Sequence, residues 1–280
     1  MKYAKKSLIY IVLIAVFIVT VFPVFYAFSA SLKNNIEILT KPGELFSENP
    51  SFVNYSAALS SEEFQFKYMF ANSILYTVVS VVTTILVSAL AGFAFARLNF
   101  PFKKLAYVCF TLVLFVKLGG ISVYATFDVL NFLHLPRNLY TLMLVHLFAV
   151  PTANMYLVRS YVHSIPSSVF EAAKIDGCSV FKTFYAIALP LIKPVLATIC
   201  ILTFTNSWND YIMPNVFTLT QPTQRTLMVG LMALKSTGGA ATNWGIMLAG
   251  TVVAMLPIFV VYLACNKYFV GGITAGAEKG

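Results

Sequence analysis

Residues 167–194 read SSVFEAAKIDGCSVFKTFYAIALPLIKP, the most polar interruption in a very apolar chain. Physically this is two short helices hinged at a glycine. Ser168 and Glu171 have capping-box spacing, each side chain placed to satisfy a free amide of the first turn. Pro166 suits a helix about to start, and Ala172 and Ala173 leave one side of that helix almost bare. Gly177 ends it, because glycine tolerates the left-handed geometry of a helix C-terminus. A second helix is predicted from Ser179, with Val180, Phe181, Phe184, Tyr185 and Ile187 apolar, before Pro190 and Pro194 disturb the pattern. A short helix with an alanine face suits insertion into a groove on another protein, so the stretch reads as a docking element with little chemistry in it.

The surroundings say where such an element sits. Of 280 residues, 59% are hydrophobic and only 10% charged, with a mean hydropathy of +0.81. A soluble domain carries about 25% charged residues, so this chain is built for a lipid bilayer. Its net charge of +9 is a topology signal and does not mark a nucleic-acid binder, because the basic residues fall mostly in segments on one side of the membrane. Cys109, Cys178, Cys200 and Cys265 are scattered and include no CxxC, which argues against a structural disulfide or metal site. His134, His146 and His163 lack ligand spacing and suit core or interface roles.

Six apolar spans are predicted, at about 8–30, 69–96, 105–131, 139–160, 188–209 and 244–266, each near the length that crosses a bilayer. The first follows Lys2, Lys5 and Lys6. It is too long for a signal-peptide core and is expected to be retained. Ser88, Gly92 and Ala96 put a small-residue stripe on the second span, and Gly245/Ala249 and Gly250/Ala254 put small pairs on the sixth. Residues 31–67 form a polar external loop, partly folded on its aromatic residues. Residues 211–242 form a second external loop, mixed enough in character to be re-entrant or surface-lying. The polar hairpin, residues 167–190, lies between spans four and five, and a short tail, FVGGITAGAEKG, follows span six.

Counting charges orients the bundle. With the N-terminus inside, twelve Lys/Arg are internal and six are external, while acidic residues run three inside to seven outside or near the outer edge. The predicted fold class is therefore an all-α membrane protein of six transmembrane helices with both termini cytoplasmic, and the hairpin points into the cell.

One pattern within the hairpin is specific. Glu171-Ala172-Ala173, two residues, Asp176-Gly177, nine residues, then Ile187-x-Leu189-Pro190 resembles the cytoplasmic coupling loop of binding-protein-dependent ABC importer permeases, and every fixed position is met. In that family the loop seats in a cleft of the ATP-hydrolysing subunit. The ending Phe269-Val270-x-Gly272-x-Thr274-Ala275-Gly276 is similar to that of carbohydrate-importer permeases of the maltose type, second subunit, where the last residues reach into the paired ATPases. The resemblance runs from Tyr68 onward and is weakest in 1–67. It departs at 116–120, where relatives carry a proline-containing turn and this chain has Val-Lys-Leu-Gly-Gly.

The resemblance implies a complex in a bacterial cytoplasmic (inner) membrane. Its expected parts are an ABC ATPase dimer carrying ATP and Mg, a distinct sister permease, and an extracytoplasmic sugar-binding protein. The expected cargo is a saccharide, an oligosaccharide in the first instance. Residues 124–138, YATFDVLNFLHLPRN, resemble permeases for plant-derived oligosaccharides, arabinose-containing ones among them. No phosphate loop of the form G-x-x-x-x-G-K-[ST] occurs, so no catalytic residue and no cofactor are assigned to this chain.

Two further sets are candidates for the translocation path. Lys117 is the one charge well inside a span, costly unless it meets water or a partner. It either lines the path or pairs with Asp128 or a sister subunit. Asn206, Trp208, Asn209 and Asp210 put planar polar groups beside an aromatic ring at a helix end, which suits sugars, and equally suits an interfacial tryptophan anchor. A stand-alone ion-coupled transporter is the alternative, but that class keeps several ionisable groups near the midplane and shows paired repeats. An intramembrane enzyme lacks HExxH, GxSxG or a carboxylate pair.

Overall fold

A computed structural model describes the backbone at residues 2–60, 65–116, 121–236 and 243–277, and side chains at 6–60, 65–116, 121–234 and 243–266. Among the described residues every regular element is helical. Four helices or helix pairs are long and apolar enough to span a membrane, and a fifth candidate is a pair bent by 74°. The chain divides into two compact units, residues 1–70 with 227–257, and residues 71–226 with 258–280.

In the first unit, α1 (Lys2–Ser31) is apolar on all sides and unburied over its spanning length, as a helix bathed in lipid or covered by another subunit must be. The loop after it is folded, as its composition suggested. Asn34 caps α2 (Asn35–Thr40) by accepting from the Glu37 amide at 2.8 Å. Lys33, 2% exposed, donates to the Glu44 carbonyl at 2.5 Å. Asn54 in α3 (Val53–Ser60) donates to the carbonyls of Ser31 and Lys33, each at 2.7 Å. Tyr26 donates to the Pro42 carbonyl at 3.0 Å, and Ser29 to that of Leu45, so the loop doubles back along the end of α1. α14 (Leu227–Ser236) and the first half of α15 (Trp244–Ala277) complete the unit. A Cβ on Gly245 would come within 2.5 Å of the Asn54 side chain, so only glycine lets α15 start there.

In the second unit, α4 (Phe66–Arg97) matches the predicted second span, extended by a few residues. The small-residue stripe works as a crossing point. A Cβ on Gly92 would lie 2.6 Å from Val158 in α8 (Thr152–Ser164) and 3.0 Å from the Met155 carbonyl. Ala89, Phe93, Val158, Val162, Phe184, Ala188, Ile192, Val195 and Ile199 form the core at the hairpin end of the unit. A second cluster, with Tyr76, Leu130, Leu139, Leu142, Met143 and Phe217, packs nearer the other end.

The predicted spans need four corrections. Span three is not one helix over 105–131. It is α5 (Lys103–Phe115), ending where Val116 turns extended, and α6 (Ile121–Phe132). At 13 and 12 residues, neither is long enough to cross alone. Span four is α7 (Leu139–Phe148) and α8 across a break at 149–151, running to Ser164. Pro151 lacks an amide and pushes Val150 out of helical geometry. Span five begins inside the hairpin. The segment Val180–Leu191 bends by 74° into α12 (Lys193–Trp208). Finally, residues after 266 are not a separate tail, because α15 is continuous to Ala277. Residues 211–242, expected to form the second external loop, contain α13 (Ile212–Phe217), a 3-10 turn at Pro222–Gln224, and α14.

Candidate functional site

The hairpin is built in four steps. α9 (Ser167–Ile175) starts with Pro166 as its N-cap, so Ser168 is the second helical residue and no side chain caps the end. The predicted Ser168–Glu171 capping box is therefore not formed. Proline's fixed geometry starts the helix two residues earlier than that pairing requires. The other end is as predicted: Gly177 has φ +72°. The Gly177 amide donates to Lys174 at 3.1 Å and the Cys178 amide to Ala173 at 2.9 Å. This pair of bonds is a Schellman motif, and it requires the left-handed residue that glycine supplies at least cost.

Ser179 then caps the second helix, accepting from the Lys182 amide at 3.2 Å. α10 (Val180–Lys182) passes through a π-helical stretch, Thr183–Ala188, into α11 (Leu189–Leu191). The widened turn accommodates Pro190, which has no amide and whose ring collides with the carbonyl four residues back. The Leu189 amide reaches back five residues to Phe184.

The alanine face is divided. Ala173 is 3% exposed and packs into the chain itself, while Ala172 and Glu171 remain open. The surface left free is larger and more apolar than the alanines alone imply. Ile175 is 85% exposed, Phe181 73%, Tyr185 67% and Val180 55%, on the two helices either side of Gly177. Ile187 and Leu189 are half-buried and secure the second helix to the core, with Pro190 open. The hairpin thus has an inner face held by its own chain and an outer apolar face.

Among the described path candidates, Trp208, Asn209 and Asp210 make separate contacts. Trp208 is 3% exposed, with its ring stacked on Phe204 at 5.7 Å. Asn206 is open, and Asn209 bonds back to the Thr205 carbonyl at 2.9 Å. Asp210 turns elsewhere. Its Oδ2 accepts from the Tyr76 hydroxyl at 2.8 Å, and its Oδ1 accepts from the Met213 amide at 3.4 Å. His146 Nε2 lies 2.9 Å from the same hydroxyl. Tyr76 has one proton and gives it to the carboxylate, so Nε2 must be the protonated nitrogen of His146. Sequence reading placed Asp210 but missed its partners, which lie 134 and 64 positions upstream, and no local signal connects them. Lys117 lies outside the described residues. Thr274, Ala275 and Gly276 fall on the last turns of α15, with only their backbone described.

The described residues are thus apolar helices and a hairpin whose tip carries open apolar side chains. Comparison with known proteins identifies the family. Residues 85–273 match the family described as binding-protein-dependent transport system inner membrane component, and the chain belongs to that family. It is 30% identical over 262 residues to the arabinooligosaccharides transport system permease protein AraQ of Bacillus subtilis, spanning 92% of this chain and 90% of that one. It is 31% identical over 260 residues to the sulfoquinovosyl glycerol transport system permease protein SmoH of Agrobacterium fabrum, spanning 92% and 89%. A solved bacterial ABC transporter involved in the import of the acidic polysaccharide alginate has a chain that superposes with a TM-score of 0.81 at 25% identity, covering 96% and 98%. This protein is accordingly a multi-pass permease subunit of a binding-protein-dependent ABC importer, and a stand-alone ion-coupled transporter is not favoured.

Proposed function

We propose that this chain forms half of the translocation path of an oligosaccharide importer and couples it to a separate ATPase through residues 167–190. The carrying observation is the hairpin. Ile175, Val180, Phe181 and Tyr185 lie on the helices either side of the Schellman turn and stand 55–85% open, while Ala173, Phe184 and Ala188 are buried against the core. Exposed apolar side chains in such a cluster mark a partner surface. Glu171, Ala172, Ala173, Asp176, Gly177, Ile187, Leu189 and Pro190 supply its shape, and Thr274, Ala275 and Gly276 at the end of α15 are placed against the same ATPase. The charge count supports six spans with both termini inside a bacterial cytoplasmic membrane, α5 and α6 together making the third. ATP and Mg belong to the ATPase dimer. A distinct sister permease and an external sugar-binding protein complete the complex. The saccharide reading rests on relatives named for arabinooligosaccharides, sulfoquinovosyl glycerol and galactooligosaccharides. In the proposed cycle, closure of the ATPases on ATP moves the grooves that hold the hairpins, the spans turn outward, and the binding protein releases sugar between them. Lys117, Asn206, Asn209 and Asp210 remain the candidates at the path, with Trp208 as a support behind them.

Purification in mild detergent tests this. An ABC ATPase, a second permease and a binding protein are expected to copurify, and calorimetry of that binding protein against arabino-, galacto- and malto-oligosaccharides should reveal the cargo. Recovery of the chain alone, active in ATP-free vesicles, would defeat the reading.

A further inference from the structure

Nothing in the coupling pattern concerns α4, yet its inner end is lodged in the elbow of the hairpin. Phe93 has Phe170 of α9 on one side, with ring centroids 6.3 Å apart, and Phe184 of the second helix on the other, at 5.3 Å. One turn further on, the Arg97 guanidinium lies over the Phe170 ring, 4.1 Å from its centroid. The same guanidinium donates to the carbonyls of Val162 at 3.0 Å and Ile165 at 2.6 Å. These carbonyls close α8, the helix that leads directly into α9. A cation at a helix C-terminus satisfies otherwise unpaired carbonyls and complements the dipole, and guanidinium over an aromatic face adds a further attraction.

We propose that Phe93 and Arg97 are the linkage by which displacement of the docking hairpin is passed to α4. The inference rests on the coupling role given to 167–190. Both helices of the hairpin and the end of α8 touch α4 through these two side chains, so the hairpin cannot tilt against α8 without carrying Phe170, and with it α4. Gly92, the residue before Phe93, permits the tight crossing with Val158 of α8. A rigid inner contact of this kind transmits movement because packed side chains resist compression. Arg97 is a positioning residue and touches no cargo. Lysine in its place keeps the charge but has neither the planar face nor the fork that reaches two carbonyls.

The test uses the importer purified with its own ATPase and sister subunit and reconstituted in liposomes. A nitroxide is placed at Leu90→Cys, an exposed position on α4, with the four native cysteines replaced. Adding ATP–Mg with vanadate should change the label's accessibility to a water-soluble relaxing agent. In Arg97→Lys and Phe93→Leu the ATPase should still copurify. Hydrolysis should stay within about threefold of the parent, and the nucleotide-driven accessibility change should fall about tenfold, the pattern of lost coupling with intact sites. The linkage is refuted if that change persists in both variants, if the parent shows none, or if either substitution releases the ATPase. A Gly177→Leu arm separates the two levels. If that variant keeps ATPase binding and the full change, the docking role of the hairpin itself fails, whatever α4 does.

Discussion

At the residue scale, a few positions have no latitude. Gly177 occupies φ +72° with nothing within 4 Å of where a Cβ would sit, so a substitution there is penalised by backbone conformation alone. Leucine should cost about 1–2 kcal/mol of hairpin stability, read as faster amide exchange at 172–179. Gly92 presents the opposite case: ordinary helical backbone, but Val158 2.6 Å from an added Cβ. Gly92→Val should cost about 1–3 kcal/mol through overpacking and lower the melting temperature in detergent, without altering the Gly177 turn. Glu37 offers a pH handle outside the membrane. Burial opposes its charge, but the Ser47 hydroxyl, the Glu48 amide and the nearby Lys33 and Lys41 outweigh that and hold its carboxyl below the ordinary value of 4.5. A depressed pKa means the folded loop prefers the ionised form. The contribution is complete above pH 4.5 and disappears as pH falls through the lower folded value. Residues 33–52 should resist protease at pH 6 and become cleavable in acid, and Glu37→Gln should abolish that contrast.

At the element scale, the second hairpin helix owes its register to one proline. The π-helical stretch Thr183–Ala188 adds a residue to the turn beneath Pro190. Pro190→Ala allows the ordinary four-residue pattern to return, which rotates the segment before it by about 100° relative to the core. Phe184 would then leave Phe93, and Phe181 would move off the outer face. The expected result is a folded, membrane-inserted protein that recovers much less ATPase on copurification. Unchanged recovery would show that the widened turn serves only to tolerate the proline. The capping box at Ser168 illustrates the limit of local patterns: the spacing is right, but Pro166 starts the helix first and puts the pair out of phase.

At the scale of the whole molecule, topology is the open quantity that the charge balance predicts. With native cysteines replaced, Phe46→Cys should react with a membrane-impermeant maleimide on intact spheroplasts. Ile175→Cys should react only after permeabilisation. The reverse pattern would invert the bundle and place the hairpin away from ATP.

Membrane character, the hairpin with its glycine hinge, and the family were legible along the chain, because each is written in local features: runs of apolar residues, charge bias, and fixed spacings within some twenty positions. The breaks inside spans three and four were not, since hydropathy measures the environment of a segment and is indifferent to whether its helix is continuous. Nor was the inner anchoring of Ala173, the burial of Trp208, the Tyr76–His146–Asp210 group, or the seat of Phe93 and Arg97 against the hairpin. Each of these depends on which distant side chain arrives alongside, and that is decided only when the helices pack.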